Sequence, residues 1–236
     1  MVLMGTCSLS ADTWCPKCDK ALDKCCTHAV CCMAGGDATR RHNPLTDPVY
    51  VAALPAGLRV EREQEGLLPD DPRRRPGDLY LPTYPGGSAV ALDFAVTSPL
   101  RLDVLVGAAA RTLHTAKLYE EFKLADRDTA DQCAHHGLCL KPMVAEALGG
   151  WGPGAQTVLY VVAKAQATVA GQATSVALAR LYEALAVKLQ RANANAMLAR
   201  AAAVSAQSAR SLATLSLAEA ALAGSEADGH NDHMQT

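Results

Sequence analysis

Aromatic side chains are scarce in this chain. Two Trp, two Phe and six Tyr make up 4% of 236 residues. Hydrophobic residues still reach 50%, much of it alanine, which excludes wholesale disorder but predicts a thin core. Long apolar runs are also missing, because charges or glycines interrupt every candidate for a bilayer span. There is no basic excess: the formal net charge is −2. A free-standing, sequence-independent nucleic-acid binder is usually strongly basic, so any such contact here has to be local. The opening Met1-Val-Leu-Met-Gly-Thr-Cys7 has neither a basic region nor a long apolar stretch, so a secretory signal is not expected. A Gly-rich phosphate loop, a G-x-S-x-G elbow and a Cys/His nucleophile pair are all absent.

Cysteine, by contrast, is plentiful and clustered. Seven of the nine fall between Cys7 and Cys32, a distribution that points to metal ligation in a reducing, intracellular compartment rather than to a disulfide framework. Cys15-Pro-Lys-Cys18 is followed after nine residues by His28 and after three more by Cys32. A C-x2-C hairpin with a later His and Cys can close a tetrahedron around a structural Zn2+. Cys25, Cys26 and Cys31 are near enough in sequence to substitute, and the fourth ligand is open between Cys31 and Cys32.

The chain divides into four stretches: a Cys-rich zinc-binding module over 1–40, an α/β (α+β) core over 41–152, an alanine-rich helical extension over 153–224 and a disordered tail over 225–236. In the core, Thr46 to Leu54 reads as a short helix with Thr46 as N-cap, ended by Pro55 and Gly57. Glu61 to Arg75 reads as a strand edge and loop. Val90, Leu92, Phe94 and Val96 alternate with Ala89, Ala91, Asp93 and Ala95, giving a strand with one bulky and one small face. A helix follows from Gly107 to Asp126, with Leu113, Ala116, Leu118 and Phe122 as its expected buried side. His135-His-Gly137 breaks it, and Leu138 to Ala145 reads as a strand interrupted by Pro142. Leu178, Leu181, Leu185 and Leu189 mark one face of a later helix, with Arg180, Glu183, Lys188 and Arg191 opposite. A second, weakly amphipathic helix is expected from Ser205 to Ala223. No tandem repeat is present.

Two aspartates stand out. Asp78 lies in Arg75-Pro-Gly-Asp78 and Asp93 on the small face of the alternating strand. Carboxylates on neighbouring strands can hold Mg2+ or Mn2+ against a phosphate, with Glu61 or Glu63 as a further ligand and a lysine to support developing charge. The bland alternative is a turn-starting Asp78 and a solvent-facing Asp93. Position 95, two after Asp93, holds alanine, so Lys117 or Lys123 on the next helix would have to supply the cation. Arg73, Arg74 and Arg75 form a short basic run that could grip a nucleic-acid backbone. His114, His135 and His136 have no partner at a metal-ligand spacing and read as surface or loop residues.

Several runs together resemble the region downstream of the reverse-transcriptase domain in non-LTR-retrotransposon-like proteins. They are Gly35-Gly-Asp-Ala-Thr-Arg-Arg-His-Asn43, Ala56-Gly-Leu58, Arg75-Pro-Gly-Asp78, Ala91 to Pro99, Gly149-Gly-Trp-Gly152 and Leu189-Gln-Arg-Ala-Asn193. Cys133 with Gly137 and Pro142 with Glu146 add to the set. The resemblance implies a small PD-(D/E)XK nuclease core behind a Cys-Cys-His-Cys zinc motif. It implies Cys15, Cys18, His28 and Cys32 as zinc ligands, Asp78 and Asp93 as the catalytic acids, and Lys123 as a lysine displaced onto the helix. The implied activity is metal-dependent nicking of DNA, in the nucleus, within a longer element protein that carries the polymerase. This chain has no Tyr-x-Asp-Asp polymerase motif. No membrane partner and no organic cofactor are expected.

Overall fold

The computed structural model describes residues 8–228; Cys7 and the expected tail beyond residue 228 lie outside them. The chain begins with a two-stranded antiparallel hairpin, β1 (Thr13–Trp14) and β2 (Ala21–Leu22), and a one-turn helix α1 (Thr27–Cys31). Asp23 caps that helix, its carboxylate accepting from the backbone N–H groups of Thr27 and His28 at 3.0 and 2.9 Å.

Helix α2 runs over Asp37–Ala53, so the expected start at Thr46 is corrected by nine residues. Thr46 lies inside the helix, where its hydroxyl donates to the Asn43 carbonyl. Pro44 and Pro48 suggest a boundary in the sequence, yet the helix continues through both. Its first turns are pinned by tertiary contacts: Asp37 by Arg200, Lys17 and Arg40, and Arg41 by the carbonyls of Ala29 and Cys32. Local propensity yields to that anchoring. Gly36, at φ 74°, makes the left-handed turn into the helix.

A four-stranded mixed sheet follows, in the order β3 (Glu61–Arg62), β4 (Leu79–Leu81), β5 (Ala89–Thr97), β6 (Leu138–Glu146). The first three strands are antiparallel, and β6 runs parallel to β5 with Asp93 beside Pro142. Pro142 therefore does not interrupt the strand. It sits on an end strand, where one side carries no ladder and a missing N–H costs little.

The two faces of β5 differ as its alternation predicts. Leu92 and Phe94 pack with Leu45 and Val49 of α2 and with the two helices after the sheet, α6 (Pro153–Ala170) and α7 (Thr174–Asp228). Leu181, Leu185 and Leu189 of α7 are buried there, and each such leucine contributes about 1.5–3 kcal/mol. Three helices make the crossover from β5 to β6, α3 (Leu105–Ala110), α4 (His114–Ala125) and α5 (Thr129–His135), and on the small face Ala91 and Ala95 admit α5 and α4 to close approach.

The expected helix from Gly107 is split: Arg111 is extended and Leu113 adopts φ 57° before α4 begins. Its expected buried side is half right. Ala116 is fully buried and Leu113 packs beside it, but Leu118 and Phe122 are 43% and 54% exposed. The small face of the sheet has room for one narrow row of α4, and the two larger residues fall outside it. The expected second C-terminal helix is a continuation of α7, which also takes in residues 225–228 assigned to the tail. No break in hydrogen bonding occurs near Ser205, since alanine-rich sequence favours helix without needing an apolar face.

Candidate functional site

Cys15, Cys18, His28 and Cys32 bring one ligand atom each to within 4.8 Å of one another. The hairpin supplies the first two; α1 and its C-cap supply the others. The Cys18 and Cys32 sulfurs are 3.7 Å apart, and Cys18 Sγ lies 3.2 Å from His28 Nε2. A tetrahedron with Zn–S near 2.3 Å has sulfur–sulfur edges of about 3.8 Å, so the cluster could bind a zinc ion. Cys31 turns away, its sulfur 3.2 Å from the Ser98 hydroxyl; Cys32 supplies the fourth ligand atom of the cluster.

The charge balance fits that ion. Burial, followed by the Arg200 and Lys20 charges, holds His28 below its usual pKa, in the neutral form that binds metals. Burial pushes the Cys18 thiol up, and Cys32 and Cys15 add to it. Sulfurs this close ionise together with a cation among them. Burial opposes ionisation of Cys15 too, but the Lys17 backbone and the Arg200 guanidinium outweigh it. Arg200 is fully buried, lies against Cys15 and Cys32, and pairs with Asp37. Its Nε and Nη2 make no hydrogen bond among the described residues. Donors left over beside thiols suit thiolate acceptors.

The second centre lies on the small face of the sheet. Gly77 packs against β5 so closely that a Cβ there would meet the Leu92 carbonyl oxygen at 2.8 Å. This approach lets Asp78 bracket Asp93: its backbone N–H donates to Leu92 O at 2.8 Å, and its Oδ2 accepts from Phe94 N–H at 2.7 Å. His42 of α2 reaches the same Oδ2 at 3.0 Å. Among the described residues, both hydrogen-bond partners of the Asp78 carboxylate fall on one oxygen, which leaves Oδ1 for another ligand.

Asp93 meets Lys123 of α4, whose Nζ lies 3.1 and 2.8 Å from its two oxygens. Both side chains are about one-fifth exposed, at 22% and 23%. Burial raises the Asp93 pKa, Lys123 works against it, and the Asp78 charge adds to the rise. His42 is raised chiefly by its bond to Asp78, against burial and with help from the charges of Asp78 and Asp93. Two carboxylates, a lysine and a histidine thus share one electrostatic environment. Of Lys117 and Lys123, Lys123 reaches Asp93, and Lys117 is exposed to solvent.

The other expected residues are placed differently. Glu63, at φ 48°, borders a cleft with Asp78, but its carboxylate pairs with Arg75 at 3.3 Å. Arg75 also pairs with Glu65, and Arg74 donates to Gln132 and Thr129. Arg73 is exposed. The sequence reading gave no role to His42 or Arg200. Each finds its partner far along the chain, and no local pattern marks either one. His114 starts α4, His135 is exposed, and His136 faces Asp70 at 3.3 Å.

No helix among the described residues is long and apolar enough to cross a membrane. In comparisons with known proteins, the chain matches no family model, no curated protein and no solved structure.

Proposed function

We propose that the chain is a divalent-metal-dependent DNA endonuclease region of retrotransposon origin, with a structural zinc site at Cys15, Cys18, His28 and Cys32. The single observation that carries this reading is the Lys123–Asp93 ion pair at 2.8 Å, with Asp78 bonded to the backbone on either side of Asp93. A helix, an antiparallel meander, a helical crossover and a parallel strand surround them, and that order supports a PD-(D/E)XK core.

Asp78 Oδ1 and the Asp93 carboxylate would hold Mg2+ or Mn2+, which when bound supplies Lewis-acid activation of the phosphodiester. His42 and the Phe94 N–H fix the orientation of Asp78. Lys123 holds Asp93 and presents positive charge where a pentacovalent phosphorus would gather negative charge. Glu63 would reach the centre only by giving up Arg75. In a longer element protein the activity would nick target DNA in the nucleus for a reverse-transcriptase domain to extend.

Incubation of purified protein with supercoiled plasmid tests this. Nicking that requires Mg2+ or Mn2+ and is lost in Asp93→Ala and Lys123→Ala is the expected result. Absence of nicking, or nicking unchanged by Asp93→Ala, would falsify the activity.

One observation favours a second reading, a zinc-containing nucleic-acid-binding remnant without cleavage. Each carboxylate already has a cationic or imidazole partner within the chain, so the centre is balanced without a metal. Salt-dependent DNA binding with no cleavage would select it.

A further inference from the structure

Arg75 is shared by two carboxylates, Glu63 and Glu65, so it carries no excess of positive charge for a nucleic-acid substrate. A cleft of about 390 Å³ lies between α2, β3 and α7, bordered by His42, Asp47, Arg62, Glu63, Asp78 and Lys188. Asp78, one of the two carboxylates of the proposed centre, is part of its lining.

The cations in this cleft are preorganised. Arg62 lies over the Tyr50 ring at 4.2 Å and donates to Thr46 Oγ1 at 3.2 Å and Asp47 Oδ1 at 2.8 Å. A guanidinium fixed on an aromatic face keeps its fork in one plane, and 41% of the side chain remains exposed. Lys188 reaches the other Asp47 oxygen at 3.5 Å from α7, with 42% of its side chain exposed. One carboxylate, Asp47, thus serves two cations, while Glu63 and Asp78 also border the cleft. Ion pairs this exposed contribute little, so exchanging Asp47 for a phosphate costs little. Of the remaining acids, Glu63 turns to Arg75, and Asp78 is held by His42 and the Phe94 N–H.

We infer that Arg62 and Lys188 grip the phosphodiester backbone of nucleic acid in this cleft and deliver it to Asp78 and Asp93. The inference rests on the nuclease reading and specifies where its substrate is held.

Fluorescence anisotropy with a short labelled DNA duplex, without added Mg2+ or Mn2+, tests it. Arg62→Gln/Lys188→Gln should raise Kd about tenfold and reduce the salt-dependence slope by about two, because two phosphate contacts are lost. Arg73→Gln/Arg74→Gln should change Kd by less than about twofold. Arg62 also packs on Tyr50, so Lys188→Gln alone guards against misfolding; it should reduce the slope by about one.

An unchanged Kd in both Lys188→Gln and the double variant, a larger loss from Arg73→Gln/Arg74→Gln, or no binding by the wild type overturns the inference. So does equal displacement of the DNA by polyglutamate, which would assign the cleft to an acidic peptide. Wild-type protein that binds through the cleft but never nicks leaves the inference standing and removes the nuclease reading. Nicking with binding indifferent to both cleft residues does the reverse.

Discussion

The Cys/His cluster draws its four ligands from residues 15–32, whereas the acidic centre draws on α2, the approach to β4, β5 and α4. The two also differ in what balances their charge. The thiols crowd one another beside the buried Arg200 guanidinium. The aspartates already have Lys123 and His42. On the proposed reading, metal at the first site would serve folding, and metal at the second would serve chemistry. A local Cys/His cluster of this kind depends on an ion to hold it together, whereas the dispersed acidic residues are already held by the fold.

The largest expected effect breaks the first half of that contrast. Cys32→Ser should lose the bound zinc, measured by elemental analysis, and lower the melting temperature sharply, since structural zinc is worth roughly 10 kcal/mol or more in small modules. Cys31→Ser should keep both. Equal zinc loss in the two variants would break the ligand assignment.

Arg200→Met comes next. It leaves Asp37 buried with Lys17 and Arg40 as its remaining partners, and losing one partner of a buried pair costs about 3–5 kcal/mol. Chemical denaturation should report a loss of that size. A loss under about 1 kcal/mol would mean that the guanidinium does not couple the zinc module to α7.

Gly77→Ala probes the second centre. Its Cβ would press on the Leu92 backbone, and overpacking of this kind costs about 1–3 kcal/mol. Any nicking activity should fall further than stability does, because Asp78 would shift from its bond to Phe94 N–H. Wild-type activity in a folded variant would show that this close approach does not position the acid.

The smallest effect is a pH dependence. His42 has its pKa raised above 6.5, so its bond to Asp78 adds stability that is full below that value and fades as pH rises through the higher folded-state pKa. Without added Mg2+ or Mn2+, His42→Gln should flatten the alkaline side of the stability profile. An identical slope in variant and wild type would remove His42 from the network.

These sites differ in how far the sequence reveals them. The Cys/His cluster is legible because its geometry is local: a C-x2-C turn and one helical turn fix the spacing. Asp93 is legible through the period of two in β5, and its small face does carry the space that the alternation implies. His42 and Arg200 are not legible, because their partners lie 36 and 163 residues away. The start of α2 is hidden by Pro44 and Pro48, whose cost is overridden by anchoring at Asp37 and Arg41. Alanine-rich sequence after Ser205 has a weak apolar stripe, and a stripe is what a periodicity argument reads, so the continuity of α7 escapes it. The mixed α/β class, by contrast, follows from the order of helical and strand-like segments alone.

Manganese binding, measured by electron paramagnetic resonance on the zinc-loaded protein, tests the central contrast most directly. The account predicts a Mn2+ site that Asp93→Asn abolishes while the zinc content stays at one per chain and the fold persists. Mn2+ binding that survives Asp93→Asn, or no Mn2+ binding by the wild type, would contradict it.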